Sequence, residues 1–564
     1  MTEAQRIKKY KKRLENMRAE YRKQEKHWKD LAAYFMPVSY LRKALFGRPQ
    51  TDSKDNPYIY DLTGRVSLRV FSSGLHGGLT SPSRPWFGLG LTDEAWRDDT
   101  EVEQWLNDTQ NRISGELHRS NFYDQIHLLY SELGCFGVGV MMLEEDEDAT
   151  IRFETLNAGE YYLSAGVKGR VDTLYRIYNL NARQMMDRWA REVPEFVKRD
   201  YESDKQALEY EVLHVIEPRR QYDPMRKDGA NRPWRSLFIL LKGGHEMILE
   251  ESGYYEQPFI AARWEASYNE IYGSGPASDV LSTVKSAQQL RKDSLIGVQM
   301  ELNPPVLASA DLGNPFNSIN LEPGGITYVA NTGSQPSIIP AYQVRHNLAA
   351  AGEALETLRN DVRDGLYYNL FLLLSGTDKT MTATEVAERN AEKLLQLGPA
   401  LERMRSELFM PMINRVFNAM FREGKIASPP ESLQGQDLKV EFISMLALAQ
   451  KAAGLAGIDR LTQYTLALAQ VFPQEVMDVF DVYQAVSEAE KLNGVNPGII
   501  RSADEVEAIR QAREQQQQQM MAQQQAMAAG QMAMEGMSKG AGAMKDAAAA
   551  GLPIAEMMSR GQMQ

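Results

Sequence analysis

Apolar and polar positions divide this chain into stretches of different period. Ile7, Tyr10, Leu14, Met17, Tyr21, Trp28, Leu31 and Phe35 recur three or four residues apart, with Gln24 breaking the run. That spacing predicts one amphipathic helix of roughly nine turns over residues 2–35. Thr2 and Gln5 are spaced as a capping box at its start. A second helical pattern runs from Tyr58 to Ser81 through Gly74, Gly77 and Gly78. Leu79-Thr80-Ser81-Pro82-Ser83-Arg84-Pro85-Trp86-Phe87 then reads as an extended segment with an aromatic anchor. Thr100–Ser120, with Val102, Trp105, Leu106, Ile113 and Leu117, and Phe122–Leu133 return to the helical period.

The period then becomes two. Phe136–Leu143 and Ile151–Leu156 predict a β-hairpin with the acidic tip Glu144-Glu145-Asp146-Glu147-Asp148. The tip lacks the alternating ligands and central glycine of an EF-hand loop, so it reads as a solvated turn. Tyr161–Ser164, Val171–Tyr178, Glu211–Ile216 and Ser236–Leu241 add strands, and Asn181 caps a short helix through Trp189. Residues 136–265 therefore predict an α+β domain built on a mostly antiparallel sheet.

A long helix over Gly275–Leu302 organises the second half. Asn303-Pro304-Pro305 stops it, about forty turn-rich residues follow, and another amphipathic helix starts near Tyr342. A lone hairpin of helices cannot shield Val280, Leu281, Val284, Leu295, Val298 and Leu302. Copies side by side in a ring can, and a ring suggests a conduit. Beyond it, Ser375–Met381 is a polar loop, and Thr382 and Glu385 form a capping box. That helix runs toward Arg422, with Pro399 and Pro411 as expected breaks or kinks. Leu438–Gln470 and Gln474–Leu492 read as helix. The Gln/Met/Ala-rich tail reads as disordered or marginally helical alone, and as a helical tube within a ring.

At 564 residues the chain exceeds one core, so two to four domains are expected. The net charge of −12 disfavours a tight general nucleic-acid binder, though not a protein past which DNA slides. The first helix departs from that balance. Arg6, Lys8, Lys9, Lys11, Lys12, Arg13, Arg18, Arg22, Lys23, Lys26 and Lys29 cover its polar faces. They form either a phosphate- or partner-binding surface or the solvated side of a packed helix. The one cysteine, Cys135, lies in an apolar stretch and reads as a buried thiol; an intrachain disulfide and CxxC metal sites are excluded. No secretory signal precedes the charged helix, and apolar runs such as Leu366–Leu374 fall short of the ~18 residues of a membrane span. A reducing, cytosol-like compartment is expected.

Motifs for catalysis are missing. There is no G-x-x-x-x-G-K-[ST] phosphate loop, and the seven histidines form no HExxH; His245-Glu246 lacks the second histidine. Tyr272-Gly273-Ser274-Gly275 has the wrong spacing for a nucleophile elbow and reads as a glycine-rich helix start. Glu144 and Glu145 alone make no acid/base dyad. No catalytic residue, metal site or cofactor is expected.

Several segments resemble the portal (head-to-tail connector) proteins of short-tailed phages. They are Leu79–Phe87, Gly134–Leu143 with its acidic hairpin, Tyr175–Gln184, Arg263-Trp264 through Pro276, and Asn303-Pro304-Pro305. In this order they cover roughly residues 1–500. The resemblance implies an α+β portal-type fold assembled as a cyclic ring, usually twelve-fold. Its parts would be a wing (1–275), stem helices (276–302 and 343–374) flanking a small α/β clip (303–342), a tunnel loop (375–383), a long kinked wing helix (384–425), a helical crown (426–500) and a C-terminal helical barrel or tail (501–564).

The same resemblance implies a non-enzymatic conduit for packaging, retention and ejection of double-stranded DNA, at the portal vertex of a virion assembled in the host cytoplasm. Implied partners are further copies of the chain, the terminase large subunit, tail adaptor or nozzle proteins, major capsid and scaffolding proteins and internal core proteins, with no membrane. Thr377, Asp378, Lys379 and Thr380 would face the channel, Lys379 foremost, unless it is an ordinary solvated lysine. Lys285, Arg291, Arg359 and Arg363 would line the stem. Interspersed acids such as Asp279, Asp293, Glu353, Glu356, Asp361 and Asp364 make these either weak phosphate contacts or surface and intersubunit ion pairs. Asn303, Pro304, Pro305, Asn314, Pro315 and Phe316 would belong to the clip surface that meets terminase or adaptor. The alternatives are another virion structural protein (a head–tail adaptor or internal core protein), which would lack the helix–clip–helix order, or a DNA-processing enzyme, which would bring a clustered metal site.

Overall fold

The apolar stripe of the first thirty-five residues folds as helix α1 (Glu3–Phe35) in the computed structural model. The structure describes residues 2–36, 59–91, 100–146, 149–203, 205–226, 228–241, 245–267, 270–309, 320, 322–329, 338–341, 348–375, 397–430, 433, 438–442, 464–465, 506, 509–513 and 515–521. Two compact units divide at Asp481 and Val482. In the second, residues 509–513 and 515–521 are helical.

In the first unit α1 is followed by α2 (Thr63–Leu79), β1 (Phe87–Leu91), α3 (Thr100–Arg119), α4 (Phe122–Phe136), β2 (Val138–Glu145) and β3 (Ile151–Leu156). Next come β4 (Tyr161–Ala165), β5 (Val171–Asn181), α5 (Ala182–Trp189), α6 (Glu195–Glu202), β6 (Glu209–Pro218), β7 (Trp234–Leu240), β8 (Met247–Tyr254) and β9 (Phe259–Arg263). The long helix is α7 (Pro276–Leu302), then β10 (Val306–Ser309), β11 (Ile326–Val329), β12 (Ile338–Pro340), α8 (Leu348–Gly365), α9 (Tyr368–Ser375), α10 (Met410–Arg422) and β13 (Leu438–Phe442).

The expected capping box starts α1: the Gln5 amide donates to Thr2 Oγ1 and the Thr2 amide to Gln5 Oε1. Strands β4 to β8 form a five-stranded antiparallel sheet in sequence order. One face carries Ile7, Tyr10, Leu14 and Met17 of α1 against Tyr175, Leu213, Val215, Leu237 and Ile239. The other carries α5 and α6, with Met185, Trp189 and Val197 on Val212, Phe238 and Leu240. This is a helix–sheet–helix sandwich, and the two-sided burial explains why β6 and β7 are apolar on consecutive positions. The C-terminal half of α1 leaves the sheet; Trp28 meets Phe136 of α4 and Tyr272 just before α7. A second antiparallel sheet has order β3-β2-β9.

Several sequence expectations are corrected. Residues 438–442 are not helix: β13 pairs antiparallel with β1, Phe87 opposite Phe442 and Leu91 opposite Leu438. Leu438-Lys439-Val440-Glu441-Phe442 alternates with period two, a strand pattern that the following Ala/Leu-rich residues obscured. The helix over 343–374 is interrupted. Gly365 passes so close to α7 that a Cβ there would sit 2.3 Å from Val280 Cγ1. Tyr367 then adopts φ 53°, which separates α8 from α9. The kink near Pro411 is a π-helical turn at Arg405–Phe409, which includes Glu407, whose carbonyl the proline ring would otherwise crowd. Helix α6 and strands β8 and β9 were not foreseen.

One buried carboxyl gives the fold a pH dependence. Glu132 of α4 is 3% exposed, and its Oε2 accepts the Ala158 amide at 3.0 Å. Burial pushes its pKa up to about 8, the Ala158 N–H opposes the shift, and Glu160 adds to it. The folded state therefore holds a proton that the unfolded chain has released above pH 4.5, so stability falls as pH rises from there to about 8. Glu132→Gln keeps the acceptor and removes the charge. Denaturation midpoints at pH 4.5 and 8.5 should show this variant more stable than wild type by about 4–5 kcal/mol at the higher pH, with the gap nearly closed at the lower. An equal effect at both pH values would show that Glu132 is not the titrating group.

Candidate functional site

The site to which the sequence points is the helix pair α7/α8 and the small module at its far end. Helix α7 is about 40 Å long. Gly275 is its N-cap and Pro276 occupies the first turn, where no N–H is needed. Its buried residues are Pro276, Ala277, Val280, Leu281, Val284, Ala287 and Gln288, then only Gly297. Leu295 is 39% and Leu302 75% exposed. The first half is thus bedded in the unit, and the second half projects.

The bedding is made by backbone and polar contacts. Gly137, the left-handed C-cap of α4 (φ 78°), and Gly273 and Gly275 lie backbone against backbone. A Cβ on Gly273 would come within 2.4 Å of Glu265 O, and one on Gly275 within 2.7 Å of Leu133 O. The Tyr272 hydroxyl accepts the Leu163 amide, linking this corner to β4. One turn beyond Val284, Gln288 reaches into the segment before α2. Its Oε1 accepts the Tyr60 and Asp61 amides and its Nε2 donates to Asp61 O. The Asp61 carboxylate in turn accepts Arg359 Nε and the Thr63 amide. Burial acts to raise the Asp61 pKa, but the Thr63 and Arg359 hydrogen bonds outweigh it and hold the group below the usual carboxylate range.

Lys285, Arg291, Arg359 and Arg363 have different surroundings. Lys285 donates to Asp30 of α1 at 2.6 Å, seven residues along α7 from Ser278, which meets His27 of α1 at 3.0 Å. Arg359 joins α8 to Asp61 and also binds Glu356, which Arg363 binds as well. Arg291 is partly exposed on α7. The structure thus gathers Lys285 and Arg359 at the foot of the pair, each in an ion pair within the chain. Asp61 and Gln288 were missed by sequence reasoning; an Asp two residues before a helical Thr was the one available signal for the first, and Gln288 gave none.

Past α7, Asn303 is the C-cap and its carbonyl accepts the Gly324 amide at 2.8 Å. Pro305 O accepts the Ala341 amide at 2.7 Å. These bonds close a three-stranded module of order β11-β10-β12, with β10–β11 parallel and β10–β12 antiparallel, onto the helix end. Asn303, Pro304 and Pro305 are at its base. Asn314, Pro315, Phe316, and Thr377, Asp378, Lys379 and Thr380 lie outside the described residues. Among the described residues no three His, Cys, Asp or Glu side chains are grouped to hold a metal ion, and no helix is long and apolar enough to cross a membrane.

The family described as bacteriophage head to tail connecting protein matches residues 7–500. The portal protein of Salmonella phage epsilon15 is 35% identical over 538 residues, 95% of either chain. The probable portal protein of Bordetella phage BPP-1 is 35% identical over 497 residues, 87% of this chain and 88% of its own.

The chain belongs to the bacteriophage head-to-tail connecting protein family.

As a member of that family it is a structural portal component of a phage particle, not an enzyme. The segments that carried the resemblance now have physical roles in this head-to-tail connecting protein. Trp86 stacks on Phe122 and meets Phe409, so Leu79–Phe87 ties α2 to α4 and the π-helical turn. Arg263 donates to Glu407, Glu270 O and Gly169 O, which holds β9 to the same turn. The segment from Tyr175 to Gln184 is β5 running into α5, with Asn181 and Gln184 completing a capping box.

The glycine crossing at the foot of α7 makes a prediction. Gly275→Ala should lower stability by about 3 kcal/mol or more, because neighbouring backbone cannot move aside as a flexible side chain would. Gly352→Ala on α8, where a Cβ meets nothing within 4 Å, should be neutral or stabilise by up to about 1 kcal/mol. Melting of both variants checks the pair; similar shifts would contradict the close approach.

Proposed function

We propose that this head-to-tail connecting protein assembles as a closed cyclic ring, of about twelve subunits, that forms the channel for double-stranded DNA at one capsid vertex. The observation that carries this reading is the family match over residues 7–500 together with relatives called portal proteins that are 35% identical over 95% and 87% of the chain. The burial pattern of α7 supports it. A projecting half-helix with Leu295 and Leu302 exposed needs cover, and a head-to-tail neighbour offers the same cover at every position of a ring. Tyr60, Leu62 and Val66 near the foot are also exposed and would join such an interface.

In this reading 1–275 and 384–425 form the wing, α7 and α8–α9 the stem, 303–342 the clip, 426–500 the crown and 501–564 the barrel or tail. The clip, through Asn303, Pro304, Pro305, Asn314, Pro315 and Phe316, meets the terminase large subunit and later the tail adaptor or nozzle proteins. Major capsid, scaffolding and internal core proteins surround the ring in the virion. Thr377, Asp378, Lys379 and Thr380 face the DNA. Lys285 and Arg359 are paired to Asp30 and Asp61 and chiefly position the stem, and Arg363 shares Glu356 with Arg359, which leaves Arg291 for weak phosphate contact. The protein hydrolyses nothing, and a separate terminase ATPase supplies the energy.

Mass measurement of the purified chain, with negative-stain images of the same sample, tests this. Closed rings with a central channel are expected. A compact monomer across a wide concentration range, with no ring under any condition, would overturn it. Leu295→Glu with Leu302→Glu should leave the subunit folded and shift the population toward monomer by at least ten-fold, because each introduces a charge into the proposed interface.

A further inference from the structure

Helix α1 carries eleven Lys and Arg against five Asp and Glu, in a chain whose net charge is −12. Six of those cations are held by acids. Arg6 pairs with Glu251, Lys11 with Glu246, Arg13 with Glu217, Arg18 with Glu15, Lys23 with Glu20 and Lys29 with Glu25. Lys8, Lys9, Lys12, Arg22 and Lys26 are exposed and have no ion pair or hydrogen bond among the described residues. Lys8, Lys12, Arg22 and Lys26 are spaced so that, at 100° per residue, they share a sector about 80° wide and span about 27 Å of helix. That sector lies opposite the stripe of Tyr10, Leu14, Met17, Tyr21 and Trp28, which is fully occupied by the sheet and α4. Ala19 leaves its middle free of bulk, and its one acid, Glu15, is tied to Arg18.

A straight row of unpaired cations fits a long, uniformly charged polyanion. A second copy of the chain offers no such match on the far side of the sheet. There the exposed acids Asp187, Glu192, Glu195 and Glu202 are interspersed with the exposed bases Arg183, Arg188, Arg191 and Arg199. Duplex DNA presents one charge per ~1.7 Å of axis, so a 27 Å row always finds phosphates in reach whatever the sequence.

We propose that the solvent face of α1 is a second DNA-binding surface, outside the channel, on which duplex DNA lies along the wing. This rests on the conduit reading for the presence of duplex DNA around the assembled protein. Binding is sequence-independent and governed by salt, with each lost cation removing one phosphate contact.

The test uses the full-length assembled protein and covalently closed circular plasmid, which cannot thread a closed ring and so reports outer binding alone. Affinity is measured between 50 and 200 mM salt for wild type and for Lys8→Gln/Lys12→Gln/Arg22→Gln/Lys26→Gln. Four lost contacts should flatten the slope of log affinity against log salt by about 3.6 and weaken binding at least ten-fold at 100 mM. Removal of equal charge from the other side of the sheet, Arg183→Gln/Arg191→Gln/Arg199→Gln/Lys205→Gln, should leave both quantities near wild type. Negative-stain images of each protein separate the two readings. Intact rings with equal plasmid binding in wild type and the α1 variant overturn the inference while leaving the conduit standing; absent rings in wild type count against the conduit itself. Equal losses in both variants, or binding to phosphatidylserine vesicles with none to plasmid, also overturn it.

Discussion

Three glycines set the direction of the projecting helix. Where α4 ends, Gly137 turns left-handed, and the chain that leads into α7 crosses it with Gly273 and Gly275 in backbone contact. Trp264 N donates to Gly137 O, and Glu265 and Ser274 exchange both of their backbone hydrogen bonds. No side chain lies between the two segments. The angle of α7 is therefore fixed by peptide geometry and hydrogen bonds, not by rotamers that adjust to substitution. β2 begins on one side of this crossing and α7 on the other, so the crossing joins the sheet β3-β2-β9 to the helix pair.

Around that joint, polar contacts differ in weight. Lys285–Asp30 is 40% exposed on both sides, and a pair of that kind contributes about 0–1 kcal/mol. The Asp61 carboxylate is 3% exposed and is met by Arg359 and the Thr63 amide, while Gln288 satisfies the amides beside it. Loss of one member leaves a buried group without its partner, which costs about 3–5 kcal/mol for a charge. Arg359 and Gln288 thus hold α7, α8 and the approach to α2 together. Lys285 instead holds α7 against α1, with His27–Ser278 two turns away. Lys285 and Arg359, which sequence spacing offered for DNA, serve first to fasten the α7/α8 pair to α1 and to the approach to α2.

Local signals were legible where one physical cause dominated. Thr2 and Gln5, the stripe of α1, and the stop at Asn303-Pro304-Pro305 each follow from period, capping or proline chemistry. Strand β9, Phe259-Ile260-Ala261-Ala262-Arg263, is buried along its whole length and so carries no alternation to detect. Strand β13 alternates, yet its partner β1 is some 350 residues away, and the helix-forming residues beside it gave the stronger local signal. The foot of the α7/α8 pair was illegible for the same reason. Asp61 and Gln288 are separated by 227 residues and Asp61 and Arg359 by 298, so only the folded chain brings them together. The candidate conduit residues came from family resemblance, which supplies roles that spacing cannot.

The unequal burial along α7 links the subunit to its assembly. A helix forms cooperatively, so the four turns bedded against α1, α2 and α8 nucleate the remainder. The distal half inherits helical geometry from that base while its apolar positions stay uncovered. Such a surface contributes less than it could in a monomer, because Leu302 is 75% and Leu295 39% exposed. In the proposed ring the neighbour's helix pair buries it without any refolding. Rigid-body closure then suffices, since the base that sets the helix direction is complete within one chain. The β module at the tip follows the same logic. It is closed onto the end of α7 by the Asn303–Gly324 and Pro305–Ala341 backbone bonds. A force applied at the tip would be transmitted along a continuous helix to the glycine crossing, and from there into the sheet.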